Sequence, residues 1–98
     1  MKKLAVFYTP KQSVTNNESY SPSAGKPTKV VELFNRSNRV HVIDDWKPVT
    51  QGEISIAHDP AFVADILSLR RSNGFGNRLA SVAASLPYTV GSFLRGAE

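Results

Sequence analysis

Residues 27–43, Pro27-Thr28-Lys29-Val30-Val31-Glu32-Leu33-Phe34-Asn35-Arg36-Ser37-Asn38-Arg39-Val40-His41-Val42-Ile43, change periodicity once, and that change sets the fold class. Val30, Val31, Leu33 and Phe34 share one face of a helical pattern, with Lys29, Glu32 and Arg36 on the other. Pro27 suits the first helical turn, where an amide hydrogen would have no partner. After Asn35 to Asn38 the pattern becomes a short apolar run, Val40 to Ile43, read as a strand that ends at Asp44-Asp45. Toward the amino end, Leu4-Ala5-Val6-Phe7-Tyr8 is a continuous apolar run closed by Thr9-Pro10, the pattern of a central parallel strand buried on both faces. Strand, helix and strand in this length make a βαβ unit. Residues 11–26 are polar and rich in Ser, Asn, Pro and Gly, and read as one long loop.

Beyond the second strand the signals are helical. Thr50-Gln51-Gly52-Glu53 has capping-box spacing, so a short helix carrying Ile54 and Ile56 should follow. Asp59-Pro60 reads as an N-cap and first helical position, and Phe62, Val63, Ile66, Leu67 and Leu69 form a stripe that predicts a helix over 60–70. Leu79, Val82, Ala83 and Leu86 suggest another helix, capped by Asn77 and broken at Pro87. Val90, Phe93 and Leu94 then give a last helical stretch, weakened by Gly91 and Gly96. The expected architecture is α/β: a small βαβ unit followed by three or four helical segments, in a single domain over 1–98.

At 98 residues the chain can bury only roughly 60–70% of its unfolded surface, so its core must be thin. It has no cysteine, which excludes disulfides, thiolate metal ligands and cysteine nucleophiles. No apolar run is long enough for a secretory signal or a membrane span, and the expectation is a complete small cytoplasmic protein. The net charge of +4 allows weak attraction to nucleic acid, but the charges are scattered and no binding motif accompanies them.

The chemical motifs are sparse. Gly74-Phe75-Gly76 opens like a dinucleotide fingerprint, yet it lacks the third glycine and follows a helix, so it reads as a turn using glycine at positive φ. His41 and His58 are the only histidines and fall on separate elements, too few for a catalytic zinc site. Asp44-Asp45 reads as a solvated turn, and no serine sits in a nucleophile elbow. Arg70 and Arg71 offset the carbonyl end of the preceding helix. Trp46 and Phe75 either fill local gaps or meet a partner. No cofactor is indicated.

From Ala57 to Phe93 the sequence AHDPAFVADILSLRRSNGFGNRLASVAASLPYTVGSF resembles the amino-terminal region of histone deacetylase-like and acetylpolyamine amidohydrolases. The pieces that carry the resemblance are the His58-Asp59-Pro60 step into a helix, the NGFGN loop of residues 73–77 and the LPYTVGS segment of residues 86–92. The Leu4 to Tyr8 strand, the loop of residues 21–27 and the helix after it are similar to the same family's opening, so the resemblance spans nearly the whole chain. It implies the opening portion of the arginase/deacetylase fold, built on a parallel sheet, in a family of zinc-dependent amide hydrolases acting on acetylated lysine or polyamine-like substrates. The family's catalytic histidines, zinc ligands and tyrosine belong to later segments, so none is carried over. Residues 19–26 and 72–78 correspond to loops at the mouth of the active site. They make Tyr20, Arg70, Arg71, Asn73, Gly74, Phe75, Gly76, Asn77 and Arg78 candidate rim or partner residues.

The expected function is a non-catalytic, deacetylase-like interaction module that forms a homo-oligomer and hides apolar surface or an open sheet edge. Val82, Leu86, Phe93 and Leu94 are the candidate self-association residues. An alternative is a part or regulator of a zinc-dependent deacetylase that needs a separate catalytic chain as its protein partner. A third is a basic nucleic-acid binder using Arg70, Arg71 and Arg78.

Overall fold

A computed structural model describes residues 3–14 and 22–98. Leu4–Phe7 form β1 and Val40–Ile43 form β2, paired in parallel with Leu4 opposite Val40 and Phe7 opposite Ile43. The amides of Leu4 and Tyr8 donate to the carbonyls of Arg39 and Ile43 at 2.9 and 3.1 Å, extending the pairing at both ends. Helix α1, Lys26–Arg36, connects the two strands. It ends where Asn38 turns into the left-handed region at φ 55°, a conformation asparagine tolerates better than most side chains.

Among the described residues the sheet has two strands, and β1 is not buried on both faces as its apolar run suggests. Leu4 is 67% exposed, whereas Val6 and Phe7 are half-buried. A continuous apolar strand is covered on both sides only if other elements supply two covering layers. Of the apolar stripe on α1, only Val31 is buried, and Val30, Leu33 and Phe34 remain exposed. Of the expected loop over 11–26, residues 15–21 lie outside the described residues, and the described parts are not plain loop. Single 3-10 turns occupy Pro10–Gln12 and Pro22–Gly25. Thr9 caps the first of them, and the Tyr8 and Thr28 hydroxyls, 2.6 Å apart, tie β1 to the start of α1.

Gln51–Ile54 form α2, with the capping box complete: the Glu53 amide donates to Thr50 Oγ1 and the Thr50 amide to Glu53 Oε1, each at 3.1 Å. Thr50→Ala removes one half of this exchange and is expected to cost about 1 kcal/mol in urea denaturation. Pro60–Leu67 form α3, capped by Asp59, whose carboxylate accepts from the Ala61 amide at 3.3 Å. It stops three residues short of Arg70, because Leu69 adopts φ 69° and the Arg70 and Arg71 amides both turn back to the Asp65 carbonyl. Leu69 therefore leaves the helical stripe.

Ala80–Ala97 form α4, a single helix that runs through Pro87. The expected break does not occur. Proline lacks the amide that would continue the ladder and crowds the preceding turn, at a cost of ~3 kcal/mol in a helix interior. Around that turn, side chains supply other donors: Ser85 Oγ donates to the Val82 carbonyl and Thr89 Oγ1 to the Ser85 carbonyl, at 2.6 and 3.2 Å. The Pro87 carbonyl accepts from the Val49 amide at 3.1 Å, which fixes the helix to the segment after β2. The N-cap position is Leu79, and Asn77 contributes from two residues earlier by accepting the Leu79 amide at 3.1 Å.

α4 also touches β1 and the segment between β2 and α2. Ser92 Oγ donates to the Phe7 carbonyl, and Arg95 Nε to the Lys47 carbonyl at 3.2 Å. Gly91 lets the helix approach closely, since a Cβ there would lie 3.0 Å from the Trp46 ring and 3.1 Å from the Pro48 Cα. Backbone atoms give way less readily than a flexible side chain. Gly91→Ala is therefore expected to destabilise the fold by about 1–2 kcal/mol despite alanine's better helix propensity, measured by thermal unfolding.

The core is small: Tyr8, Ala24, Val31, Val40, Val49, Val63, Val82 and Ala83 are its buried apolar residues, and Val82 alone among the large ones is fully enclosed. The molecule is also flat, 47 × 30 × 17 Å, with a radius of gyration of 14.4 Å, where about 12.6 Å is typical of a compact chain of this length.

Candidate interaction surfaces

The loop between α3 and α4 is closed on itself by asparagine. Asn73 is buried; its amide donates to the Asn77 carbonyl at 2.8 Å, and its Nδ2 to Asn77 Oδ1 at 2.9 Å. Asn73 Oδ1 in turn accepts the Phe75 amide at 2.8 Å, and its carbonyl the Gly76 amide at 3.0 Å. Gly76 sits at φ 78°, where a side chain would be strained. The amides of residues 73, 75, 76 and 79 are thus used within the loop, and those donors are not directed outward as a phosphate cradle requires.

The arginines at this end do not converge. Arg70 and Arg71 both lie near the Asp65 carboxylate, at 3.7 and 3.8 Å, and the Arg71 guanidinium stacks over the Phe62 ring at 5.1 Å. They answer an acidic side chain on α3 as well as the end of its backbone. Arg78, which follows the asparagine turn in sequence, is exposed, and Phe75 is half-buried. Tyr20, the remaining rim candidate, lies outside the described residues.

Trp46 fills a gap. Its Nε1 donates to the Ile43 carbonyl at 2.9 Å, and its ring meets Tyr88 edge-on at 6.5 Å. Asp44 and Asp45 are exposed beside His41 along β2, at a shallow hollow. Among the described residues, no three His, Cys, Asp or Glu side chains come together to hold a metal ion.

The four candidate self-association residues divide. Val82 is fully buried and belongs to the core of the single chain. Leu86 and Leu94 are half-buried, and Phe93 is 80% exposed. Val82, Leu86 and Phe93 lie four and seven residues apart on one helical stripe, and burial falls away along it, although the opposite side of α4 stays packed on Trp46 and β1.

Around that uncovered half, α2, α3 and α4 enclose an apolar groove. One hollow of about 150 Å³ lies between Ile54, Phe62, Ile66, Leu86 and Val90. A second, of about 280 Å³, lies between Val49, Ile56, Val90, Phe93 and Leu94. Ile54, His58 and Val90 line both, so the hollows adjoin. Ile56, 85% exposed, and Phe93 stand at the second hollow. In the sequence, Phe62 and Ile66 belong to the apolar stripe of the α3 segment and Ile54, Ile56 and Val90 to neighbouring helical segments, with no groove among them indicated. The signal that they exceed one core was the density of apolar residues in α3, where Phe62, Val63, Ile66 and Leu67 occupy half of eight positions.

Among the described residues, the fold and these surfaces define a small mixed α/β unit: a two-stranded parallel sheet with four helices and an uncovered apolar groove. No described helix is long and apolar enough to cross a membrane. No family model matches the sequence, and no curated protein or solved structure matches it.

Proposed function

We propose that this chain is a partial, deacetylase-like α/β unit that acts as a non-catalytic interaction module and associates with copies of itself. The supporting observation is surface. A folded monomer of 10.7 kDa typically exposes about 5,500 Å², and this chain exposes 6751 Å². The excess, roughly 1,200 Å², is larger than the ~800 Å² that each partner contributes to a standard protein interface. Much of the uncovered surface is large and apolar: Ile56, Phe62, Val90 and Phe93 around the groove, and Val30, Leu33 and Phe34 on α1. Soluble monomers seldom leave such patches bare.

The resemblance to the deacetylase opening accounts for the βαβ order and for a sheet that offers open edges. Closed symmetric assembly is the commonest way for a chain to cover surface of this kind. Two measurements test the reading. Amine-reactive cross-linking of the purified chain should give bands at multiples of the 10.7 kDa protomer. An acetyl-lysine peptide assay with zinc supplied should show no turnover. Bands of single chains only, or turnover by this chain, would overturn it.

A further inference from the structure

Apart from Leu4 on β1, the large exposed apolar residues fall into two separate groups, one on α1 and one around the groove. On α1, Val30, Leu33 and Phe34 are 43, 60 and 45% exposed, spaced i, i+3 and i+4 as in the anchors of a helix that docks into a groove. At the other site, α2, α3 and α4 form the groove itself, with Val90 at the junction of its two hollows. We propose that the partner is a second copy bound head to tail, the apolar face of its α1 seated in this groove.

This inference rests on the self-association proposed above and specifies its geometry. A two-fold contact that paired groove with groove would leave the α1 face bare, and a contact pairing α1 with α1 would leave the groove bare. The head-to-tail contact covers both with one repeated interface. Charge contributes less than apolar burial. From Gln51 to Leu69, the groove helices carry Glu53, Asp59 and Asp65 and no lysine or arginine, while α1 carries Lys26, Lys29 and Arg36 against Glu32. Glu53 and Asp65 are already held by Arg95 and by Arg70 and Arg71, so attraction between the two faces is partly spent. A heterologous contact of this type closes into a ring or continues as an open chain.

The test is complementation. L33D/F34D should disable the helix face and Val90→Asp the groove, each giving a protein with the mass of one chain. Mixed, they retain one working face of each kind and should form a 1:1 dimer that grows no further. Because α1 substitutions could disturb folding, a second measurement uses exposed positions in this cysteine-free chain. Leu33→Cys and Ile56→Cys should be joined by a short bis-maleimide only when the two variants are mixed. Cross-linking of Leu33→Cys with itself, a mixture that stays monomeric, or an L33D/F34D protein that assembles like wild type would overturn the head-to-tail contact and leave self-association standing. A wild-type monomer would overturn both.

Discussion

Val82→Asp is expected to abolish the cooperative folding transition. Val82 is fully buried in the first turn of α4. An unpaired buried charge costs several kcal/mol, or the group takes up a proton and still leaves polar atoms unsatisfied. A chain of this length has a total stability of about 5–15 kcal/mol, and so small a core places it toward the lower end. The expected readout is a circular-dichroism melt without a sigmoidal transition. A variant that melts cooperatively within a few degrees of wild type would show that α4 is not packed at its amino-terminal half as described.

The second large effect separates folding from association. Val90→Asp lies two turns further along the same helix, where the side chain is 38% exposed and lines both hollows of the groove. The carboxylate reaches water in the free chain, so the folding cost is limited to lost apolar contact and poorer helix propensity, about 1–2 kcal/mol. In a docked groove the same charge would be desolvated without a partner. Association should weaken by at least 100-fold, matching the ~3 kcal/mol or more lost when a buried charge is left unpaired. Sedimentation velocity beside a thermal melt reads both quantities. A melt close to wild type with a single-chain sedimentation coefficient is the expected pair, and unchanged association would mean that the groove is not an interface.

These two residues also show where the sequence was legible. Features whose chemistry is local were readable: the Thr50–Glu53 capping box, the Asp59-Pro60 helix start, and the βαβ order set by two apolar runs around an amphipathic segment. Features decided by distant neighbours were not. Pro87 reads as a helix break because the Val49 amide that meets its carbonyl, and the Ser85 and Thr89 hydroxyls that take up nearby carbonyls, are consequences of the folded arrangement. Leu69 reads as one more turn of α3, since nothing in its type announces φ 69°.

Burial was the hardest to read. Val82 and Phe93 share a helical stripe, and periodicity treats them alike. One is sealed and the other is 80% exposed, because that difference depends on how far the cover of α4 extends. The same holds for Leu4 on β1 and for Leu33 on α1, whose apolar character implies a covering layer that the described residues do not supply. Of the candidate site, the asparagine loop was legible as a turn. Two of its arginines, Arg70 and Arg71, answer Asp65, and Arg71 also stacks over Phe62.

The measurement that tests self-association most directly is the solution mass of the wild-type chain, by light scattering from low to high micromolar concentration. The account predicts a mass above the 10.7 kDa of one chain, rising with concentration toward a dimer or larger assembly. A well-folded species that stays at 10.7 kDa across the series would contradict it.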